Sequence, residues 1–137
     1  MTALALTLVN DLAEVGRMAE AVEAFCEANA LPMGAAHALA LSLDELLTNT
    51  ISYGYEDGAP GRIEVSITLG DGAATAVVRD DARPFDPTGA AAPDLDAALD
   101  DRAVGGLGIH LVQSMMDEVG YARRDGRNVT TLVKRLD

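Results

Sequence analysis

The chain has 137 residues, which is enough for one domain with a hydrophobic core and too few for two. Hydrophobic residues make up 49% of the sequence and charged residues 23%, a balance that excludes an intrinsically disordered chain. The formal net charge of -12 argues against a protein that binds nucleic acid or an anionic membrane through its overall charge. We therefore treat residues 1–137 as a single domain, for which a partly basic protein is the easier partner.

The first residues predict a strand rather than a targeting or membrane-spanning segment. Leucine recurs at every second position from residue 4 to residue 8, as in a strand with one buried face. This apolar run has no basic residues before it and stops at Asn10 and Asp11, too soon for a signal peptide or a membrane span. The single cysteine, Cys26, fits a buried thiol in a reducing compartment, so we expect a cytoplasmic protein.

Two helices are predicted to follow the strand. Asn10 or Asp11 can cap the first helix, which is predicted to end near Asn29. Pro32 suits the first turn of the second helix, which is predicted to run to about Tyr53. The second helix has an apolar side and a polar side, and the polar side carries Ser42, Glu45, Asn49 and Ser52.

The remaining sequence predicts two β-hairpins separated by a long loop and one helix. Residues 62–69 and 73–80 alternate around a Gly-Asp-Gly turn and are predicted to pair. Residues 81–104 have no clear period and predict a loop, whereas residues 109–119 have helical spacing. The second hairpin turns at residues 125–128. The order β-α-α-β-β-loop-α-β-β predicts an α/β two-layer sandwich, with helices on one face of a mostly antiparallel sheet.

Glu45 and Asn49 are candidates for one binding pocket, because residues four apart lie on the same face of a helix with a rise of about 6 Å between them. One side chain can then hold a metal ion while the other accepts a proton. Asp44 is rotated by about 100° around the helix, so Glu45 is the better general base. Such a pair is also common on a solvated helix face, but this polar stripe is short and is followed by Tyr53 and Tyr55.

Two further segments fit a nucleotide pocket. Asp80 and Asp81 precede Ala-Arg-Pro, a pattern typical of a turn, and such a carboxylate could also accept a hydrogen bond from an adenine amino group. The glycine cluster at residues 105–108 opens the third helix, whose free N–H groups and dipole favour an anion such as phosphate. Each motif is weak alone, but their order predicts a nucleotide pocket that lacks a P-loop.

With these segments placed, the sequence resembles the GHKL (Bergerat-fold) ATP-binding domains, and within them the bacterial anti-sigma-factor serine/threonine kinases. The resemblance covers nearly the whole chain and implies that the protein binds ATP and Mg²⁺. It implies that Glu45 is the general base, that Asn49 is the Mg²⁺ ligand, and that Asp80 reads adenine. It also implies a lid over residues 86–104 and further nucleotide contacts, with Arg102 near the terminal phosphate and Thr131 near adenine: Ala82, Arg102, Gly105, Gly106, Leu107, Gly108 and Thr131.

Two positions depart from the pattern of that family, which usually has glycine in place of Ala82 and often has histidine in place of Tyr53. If residue 82 needs a positive φ, its methyl group costs on the order of 1 to 2 kcal/mol and weakens nucleotide binding about tenfold. If φ is negative there, the cost is small.

The leading hypothesis is therefore an ATP-dependent serine/threonine protein kinase and anti-sigma factor, which binds a sigma factor and phosphorylates an antagonist protein. Two alternatives stay open. The first is a non-catalytic partner-switching module with weak or no nucleotide binding, which Ala82 and Tyr53 favour. The second is a simple ATP hydrolase in which Glu45 activates water. The resemblance also implies a homodimer, and no nucleic acid or membrane partner is expected.

Overall fold

The computed structural model describes residues 3–89 and 106–137, and the elements follow the predicted order. Five elements precede the long loop: β1 (Ala3–Val9), α1 (Ala13–Ala28), α2 (Met33–Tyr53), β2 (Arg62–Gly70) and β3 (Ala73–Asp80). One short 3-10 turn and three elements follow: the turn Pro87–Gly89, α3 (Gly106–Met115), β4 (Glu118–Arg124) and β5 (Arg127–Arg135). Most of the predicted lid lies outside the described residues.

The strands form one sheet in the order β1-β2-β3-β5-β4, and all four pairings are antiparallel. Side chains alternate along the strands, so that one face packs on the helices and the other stays open. This arrangement confirms the predicted two-layer sandwich. None of the helices within the described ranges is long and apolar enough to cross a bilayer.

The two hairpin turns have the geometry that their sequences predict. Asp71 and Gly72 join β2 to β3, and Asp125 and Gly126 join β4 to β5. All four residues have positive φ, between 53° and 74°. Positive φ at both central residues matches the right-handed twist of a two-residue hairpin, which is why Asp-Gly is favoured there. Both predicted hairpins are therefore confirmed.

The core lies between the inner face of the sheet and the helices. Its largest fully buried side chains come from every layer and include Phe25, Leu39, Leu43, Ile67 and Leu132. Cys26 is also buried, as predicted, and burial raises the pKa of its thiol. This core fixes α2 against the sheet, and α2 carries two of the predicted site residues.

The predicted third helix was too long at its C-terminal end. The sequence predicts a helix over residues 109–119, whereas α3 ends at Met115 and β4 begins at Glu118. The backbone N–H of Asp117 donates to the carbonyl of Val133 at 2.9 Å, and Val119 pairs with Leu132. Pairing with β5, the other strand of the second hairpin, therefore overrides the local helical pattern at the end of this segment.

Candidate functional site

A cavity of about 300 Å³ opens between α2, the ends of β3 and β5, and the loop that follows β3. Asn49 lines it from α2, Asp80 from the end of β3, and Ala82 from the loop. Tyr53 lines it from the last turn of α2, with 52% of its surface exposed. The structure therefore brings three of the predicted site residues together in one cavity.

Asp80 is a carboxylate held almost entirely inside the protein, with 4% of its surface exposed. It continues the inward alternation of Ala76 and Val78 to the last residue of β3, where the apolar core gives way to the cavity. Its Oδ1 accepts hydrogen bonds from Asn128 Nδ2 at 2.8 Å and from the backbone N–H of Ala82 at 3.1 Å. Burial raises the pKa of Asp80 above its ordinary value, and these two hydrogen bonds oppose the rise.

The neighbouring carboxylate, Asp81, is engaged in a different contact. Its Oδ1 accepts hydrogen bonds from the Tyr55 hydroxyl at 2.7 Å and from the backbone N–H of Arg62 at 2.9 Å. Burial would raise the pKa of Asp81, but these donors hold it below its ordinary value. Burial and the bond to Asp81 in turn raise the pKa of Tyr55. Asp81 therefore holds the bend that follows β3 in place, and Asp80 is the carboxylate that lines the cavity.

Asn49 offers a buried oxygen to the cavity. The residue is 9% exposed, and its Oδ1 has no hydrogen-bond partner among the residues that the structure describes. A buried carbonyl oxygen without a partner costs about 1 to 3 kcal/mol, a cost that a bound ligand would remove. Amide oxygens are hard donors of the kind that Mg²⁺ accepts. The chemistry at this position therefore fits a magnesium ligand.

Glu45 lies one turn before Asn49 and packs against α3 rather than lining the cavity. A Cβ atom built on Gly108 would overlap Glu45 Oε2. Only glycine at this position lets the first turn of α3 approach the carboxylate so closely. Gly106 and Leu107 belong to the same first turn. The structure thus sets the predicted general base beside the predicted glycine segment, one turn away from the cavity.

The alanine that replaces the family's glycine is accommodated without backbone strain. Ala82 is 3% exposed and is not among the described residues with positive φ. Its methyl group fills the space beside Gly54, where an added Cβ would lie only 2.7 Å from Ala82 Cβ. The backbone N–H of Arg83 donates to the Gly54 carbonyl at 3.0 Å and joins the bend to the end of α2. The predicted cost of a positive φ therefore does not arise.

Thr131 does not fit the predicted position near adenine. It pairs with Val77 and Gly120 on the open face of the sheet, away from the helices. Its neighbour Thr130 is 6% exposed and lines the cavity. Because side chains alternate along a strand, an error of one residue moves a side chain to the opposite face.

Asn128 is a cavity residue that the sequence analysis did not name as a candidate. The sequence predicts only a turn over residues 125–128, whereas Asn128 is the second residue of β5 and is 4% exposed. It lines the cavity and hydrogen-bonds to Asp80. The inward alternation of Leu132 and Thr130 extends to position 128, so the period of two would have placed this side chain inside.

The remaining predictions fall at the edge of the described residues or beyond it. Arg102 and Gly105 lie outside the residues that the structure describes, and of the predicted lid only residues 86–89 lie within them. The side-chain amide of Gln113 in α3 donates to the carbonyl of Pro87. The start of the predicted lid is therefore held against α3.

Proteins of known class are similar to this chain. The family model of the histidine kinase-like ATPase domain matches residues 8–134. The chain is 35% identical over 94 residues, 69% of its length, to the serine/threonine-protein kinase BtrW of Bordetella bronchiseptica. It is 31% identical over 78 residues, 56% of its length, to the anti-sigma F factor of Priestia megaterium. The aligned regions span 66% of the first relative and 53% of the second.

Solved structures share the fold. The chain superposes with a TM-score of 0.72 on the RsbU and RsbW domains of Rv1364c from Mycobacterium tuberculosis, covering 99% of this chain and 33% of that one at 17% identity. The TM-score is 0.58 with the histidine kinase domain of a blue-light activated histidine kinase from Erythrobacter litoralis, covering 91% and 60% at 20% identity. At these identities the likeness concerns the fold alone.

Proposed function

This chain belongs to the histidine kinase-like ATPase domain family, and on that premise we propose that it is an ATP-dependent serine/threonine protein kinase that also acts as an anti-sigma factor. One observation supports this proposal above the others. The buried Asp80 and the buried Asn49 line one cavity, and Glu45 lies one helical turn away against the first turn of α3. The names of the two relatives support the same activity and regulatory role.

The adenine ring of ATP would occupy the cavity. Asp80 would accept a hydrogen bond from the adenine amino group, while Leu46 and Phe85 would provide apolar walls for the ring. The phosphates would then extend toward the first turn of α3, where free backbone N–H groups favour anions. We assign Gly105, Gly106, Leu107 and Gly108 to this contact, Arg102 to the terminal phosphate, and residues 86–104 to a lid.

Phosphoryl transfer would use Asn49 and Glu45. The orphaned Oδ1 of Asn49 would bind Mg²⁺, which when present neutralises charge on the phosphates. Glu45 would accept the proton of a serine or threonine hydroxyl while the oxygen of that hydroxyl forms a bond to the terminal phosphorus. The bond between that phosphorus and the ADP oxygen breaks, and ADP leaves with the electron pair. A general base in this position contributes roughly 10² to 10⁴ in rate.

The relatives and the net charge support the proposed partners. We propose that the chain binds a sigma factor in the cytoplasm, phosphorylates an antagonist protein, and works as a homodimer. The anti-sigma F relative supports a sigma factor as the target. The net charge of -12 favours a partner that presents basic side chains.

Replacing Glu45 tests the proposed activity. The variant Glu45→Ala is expected to lose phosphotransfer to an antagonist protein by at least about 10²-fold, because no carboxylate remains to accept the proton. ATP binding should persist, since Glu45 does not line the cavity. Asp44→Ala is the matched control, because Asp44 is the residue next to Glu45. Its carboxylate accepts a hydrogen bond from the Thr48 hydroxyl at 3.2 Å. Equal phosphorylation by wild type and Glu45→Ala would reject the assignment.

The same assay separates the alternatives. A simple hydrolase would release inorganic phosphate at the same rate with and without the antagonist protein, whereas a kinase would transfer phosphate to it. A non-catalytic module would do neither. That alternative was motivated by Ala82 and Tyr53. Because residue 82 does not have a positive φ, the alanine there no longer supports it.

A further inference from the structure

We infer that Asn128 is a positioning residue that makes Asp80 present a hydrogen-bond acceptor to the cavity and so selects purines with an amino group, such as adenine, over purines with a carbonyl oxygen at that position, such as guanine. This inference rests on the proposed ATP-binding function and deepens it. Asn128 acts through Asp80, to which its side chain is joined at 2.8 Å.

Three donors determine which way the side-chain amide of Asn128 faces. The Tyr121 hydroxyl, Arg123 Nη1 at 3.1 Å and the backbone N–H of Phe85 at 3.3 Å all donate to the same atom. A guanidinium and a backbone N–H can only donate, so this atom is the carbonyl oxygen Oδ1. The other atom of the amide is therefore the nitrogen Nδ2, which can only donate.

Because its amide nitrogen faces Asp80, Asn128 acts on that carboxylate as a hydrogen-bond donor. Nδ2 donates to Asp80 Oδ1 and to the backbone carbonyl of Arg83 at 2.9 Å, and both of these groups accept. The backbone N–H of Ala82 also donates to Oδ1 of Asp80, at 3.1 Å. Two donors on one oxygen favour the ionised carboxylate. The second oxygen, Oδ2, is then left as an acceptor for a ligand.

An acceptor in this position discriminates between nucleobases. The amino group of adenine can donate to Oδ2, whereas the carbonyl oxygen at the same ring position of guanine would face a negative oxygen. Asp80 and Asn128 are each 4% exposed, so bulk water has little access to either side chain and cannot readily replace a missing donor. Rejection of the wrong base therefore depends on Asn128, because its donation to Oδ1 of Asp80 leaves Oδ2 as a hydrogen-bond acceptor.

The groups around Asp80 set how it responds to the loss of Asn128. Arg123 of β4 favours the ionised form of Asp80, and the adjacent Asp81 opposes it. Within the described part of the chain, the titratable or charged side chains of Tyr53, Tyr55, Tyr121 and Arg83 also lie near Asp80. The α2 residues that line the cavity include no Asp, Glu, Lys, Arg or His. Without Asn128, burial would raise the pKa of Asp80 further, because one of the opposing hydrogen bonds is gone.

Two variants should shift the pH dependence of Mg-ATP binding in opposite directions. Asn128→Ala removes the donor and raises the Asp80 pKa, so the fall in affinity, expected to reach about tenfold or more, should be largest at the acidic end of the pH range and smaller as the pH rises. Asn128→Asp keeps the shape but pairs two carboxylates, which would share one proton and bind best at low pH. Val129→Ala is the matched control, since Val129 is the next residue of β5 and its side chain lies on the open face.

Calorimetric titrations from pH 6 to pH 9 with Mg-ATP and Mg-GTP would measure these effects. We expect wild type and Val129→Ala to bind ATP at least about 100-fold more tightly than GTP. Equal affinity of wild type for both nucleotides would overturn the inference without any variant. So would Asn128 variants that keep the wild-type pH profile and preference.

A carboxyl NMR titration of nucleotide-free protein separates this inference from the proposed function. The Asp80 pKa is expected to be higher in Asn128→Ala than in wild type, whether or not ATP binds. An unchanged pKa would contradict the positioning role. If wild type does not bind ATP but the Asp80 pKa is raised in Asn128→Ala, the proposed ATP-binding function is rejected. The positioning of Asp80 by Asn128 is then retained.

Discussion

Gly108 determines how closely α3 can approach the carboxylate of Glu45. In Gly108→Ala the new methyl group would overlap Glu45 Oε2, so the carboxylate or the helix has to move. We expect the rate of phosphotransfer to fall at least tenfold, because the base is displaced. The KM for ATP should change less, because the substitution alters the proposed phosphate contact and leaves the lining of the adenine cavity intact. Steady-state kinetics with an antagonist substrate would measure both constants.

Gly16→Ala is the matched control for this substitution. Gly16 lies within α1, and a Cβ atom there would meet nothing within 4 Å. Alanine in an open helical position should leave the kinetics unchanged and raise the free energy of unfolding by about 0.5 to 1 kcal/mol. A Gly108→Ala enzyme as active as Gly16→Ala would show that Glu45 is not the base.

The burial of Asp80 carries a cost in stability at a position proposed to be functional. Because its pKa is raised in the folded protein, the folded state holds a proton more tightly than the unfolded chain does. Ionising Asp80 therefore destabilises the fold, and this cost is absent at acidic pH and complete above the folded pKa. Asp80→Asn keeps an oxygen for the two donors on Oδ1 and removes the charge.

The expected outcome is a higher melting temperature for Asp80→Asn than for wild type at neutral pH, without nucleotide. The difference should shrink as the pH falls toward about 4, the ordinary pKa of aspartate. Thermal unfolding at a series of pH values would measure it. A variant that is less stable than wild type at neutral pH would contradict the assigned direction of the pKa shift.

At the scale of the elements, the site depends on the contact between the end of α2 and the bend after β3. A Cβ atom on Gly54 would lie 2.5 Å from the Thr50 carbonyl and 2.7 Å from Ala82 Cβ. Gly54→Ala should therefore push these two elements apart, lower the free energy of unfolding by about 1 to 3 kcal/mol, and weaken ATP binding. Chemical denaturation and calorimetry would measure the two effects.

The double variant Gly54→Ala with Ala82→Gly isolates the contact between the two methyl groups. It should recover part of the lost stability, because only the clash with the Thr50 carbonyl remains. Ala82→Gly alone is the control, and it should change ATP affinity by less than about threefold, since residue 82 does not need a positive φ. Strictly additive effects of the two substitutions would contradict this packing.

The sequence predicts the bounds of helices and strands well where local residues determine them. It predicts them poorly where hydrogen bonds to another strand determine them. Both Asp-Gly hairpins and the bounds of α2 follow from turn chemistry and helical period. The end of α3 does not, because Asp117 bonds to Val133 on another strand. The inward side of β5 was available from the period of two, although Thr131 was chosen instead of Thr130.

Contacts between elements lie beyond such patterns. Asn49 and Asp80 could be proposed for one pocket from the order of their motifs and from family resemblance, but not from a fixed spacing, since none relates residues on different elements. The close approach of Glu45 to Gly108 depends on how α3 packs against α2. The position of the Ala82 methyl group beside Gly54 depends on how the bend after β3 packs against the end of α2. Tertiary packing sets these distances, and the sequence pattern does not contain them.

At the scale of the whole molecule, the protein carries a net charge of -12 and yet is proposed to bind a polyanion. The overall field opposes ATP, so we propose that the phosphates are met locally by Mg²⁺ on Asn49 and by the first turn of α3. Membership of the histidine kinase-like ATPase domain family agrees with the use of ATP. The central claim is therefore that one cavity, with Asp80 at one end and Asn49 beside it, holds Mg-ATP.

Calorimetric titration of wild type and Asp80→Asn with ATP in the presence of Mg²⁺ tests this claim most directly. We predict saturable binding by wild type in the micromolar range, and a loss of at least about 100-fold in Asp80→Asn, because an amide nitrogen would then face the adenine amino group. Removal of Mg²⁺ with a chelator should weaken wild-type binding as well. No binding by wild type, or equal binding by the two proteins, would contradict the account.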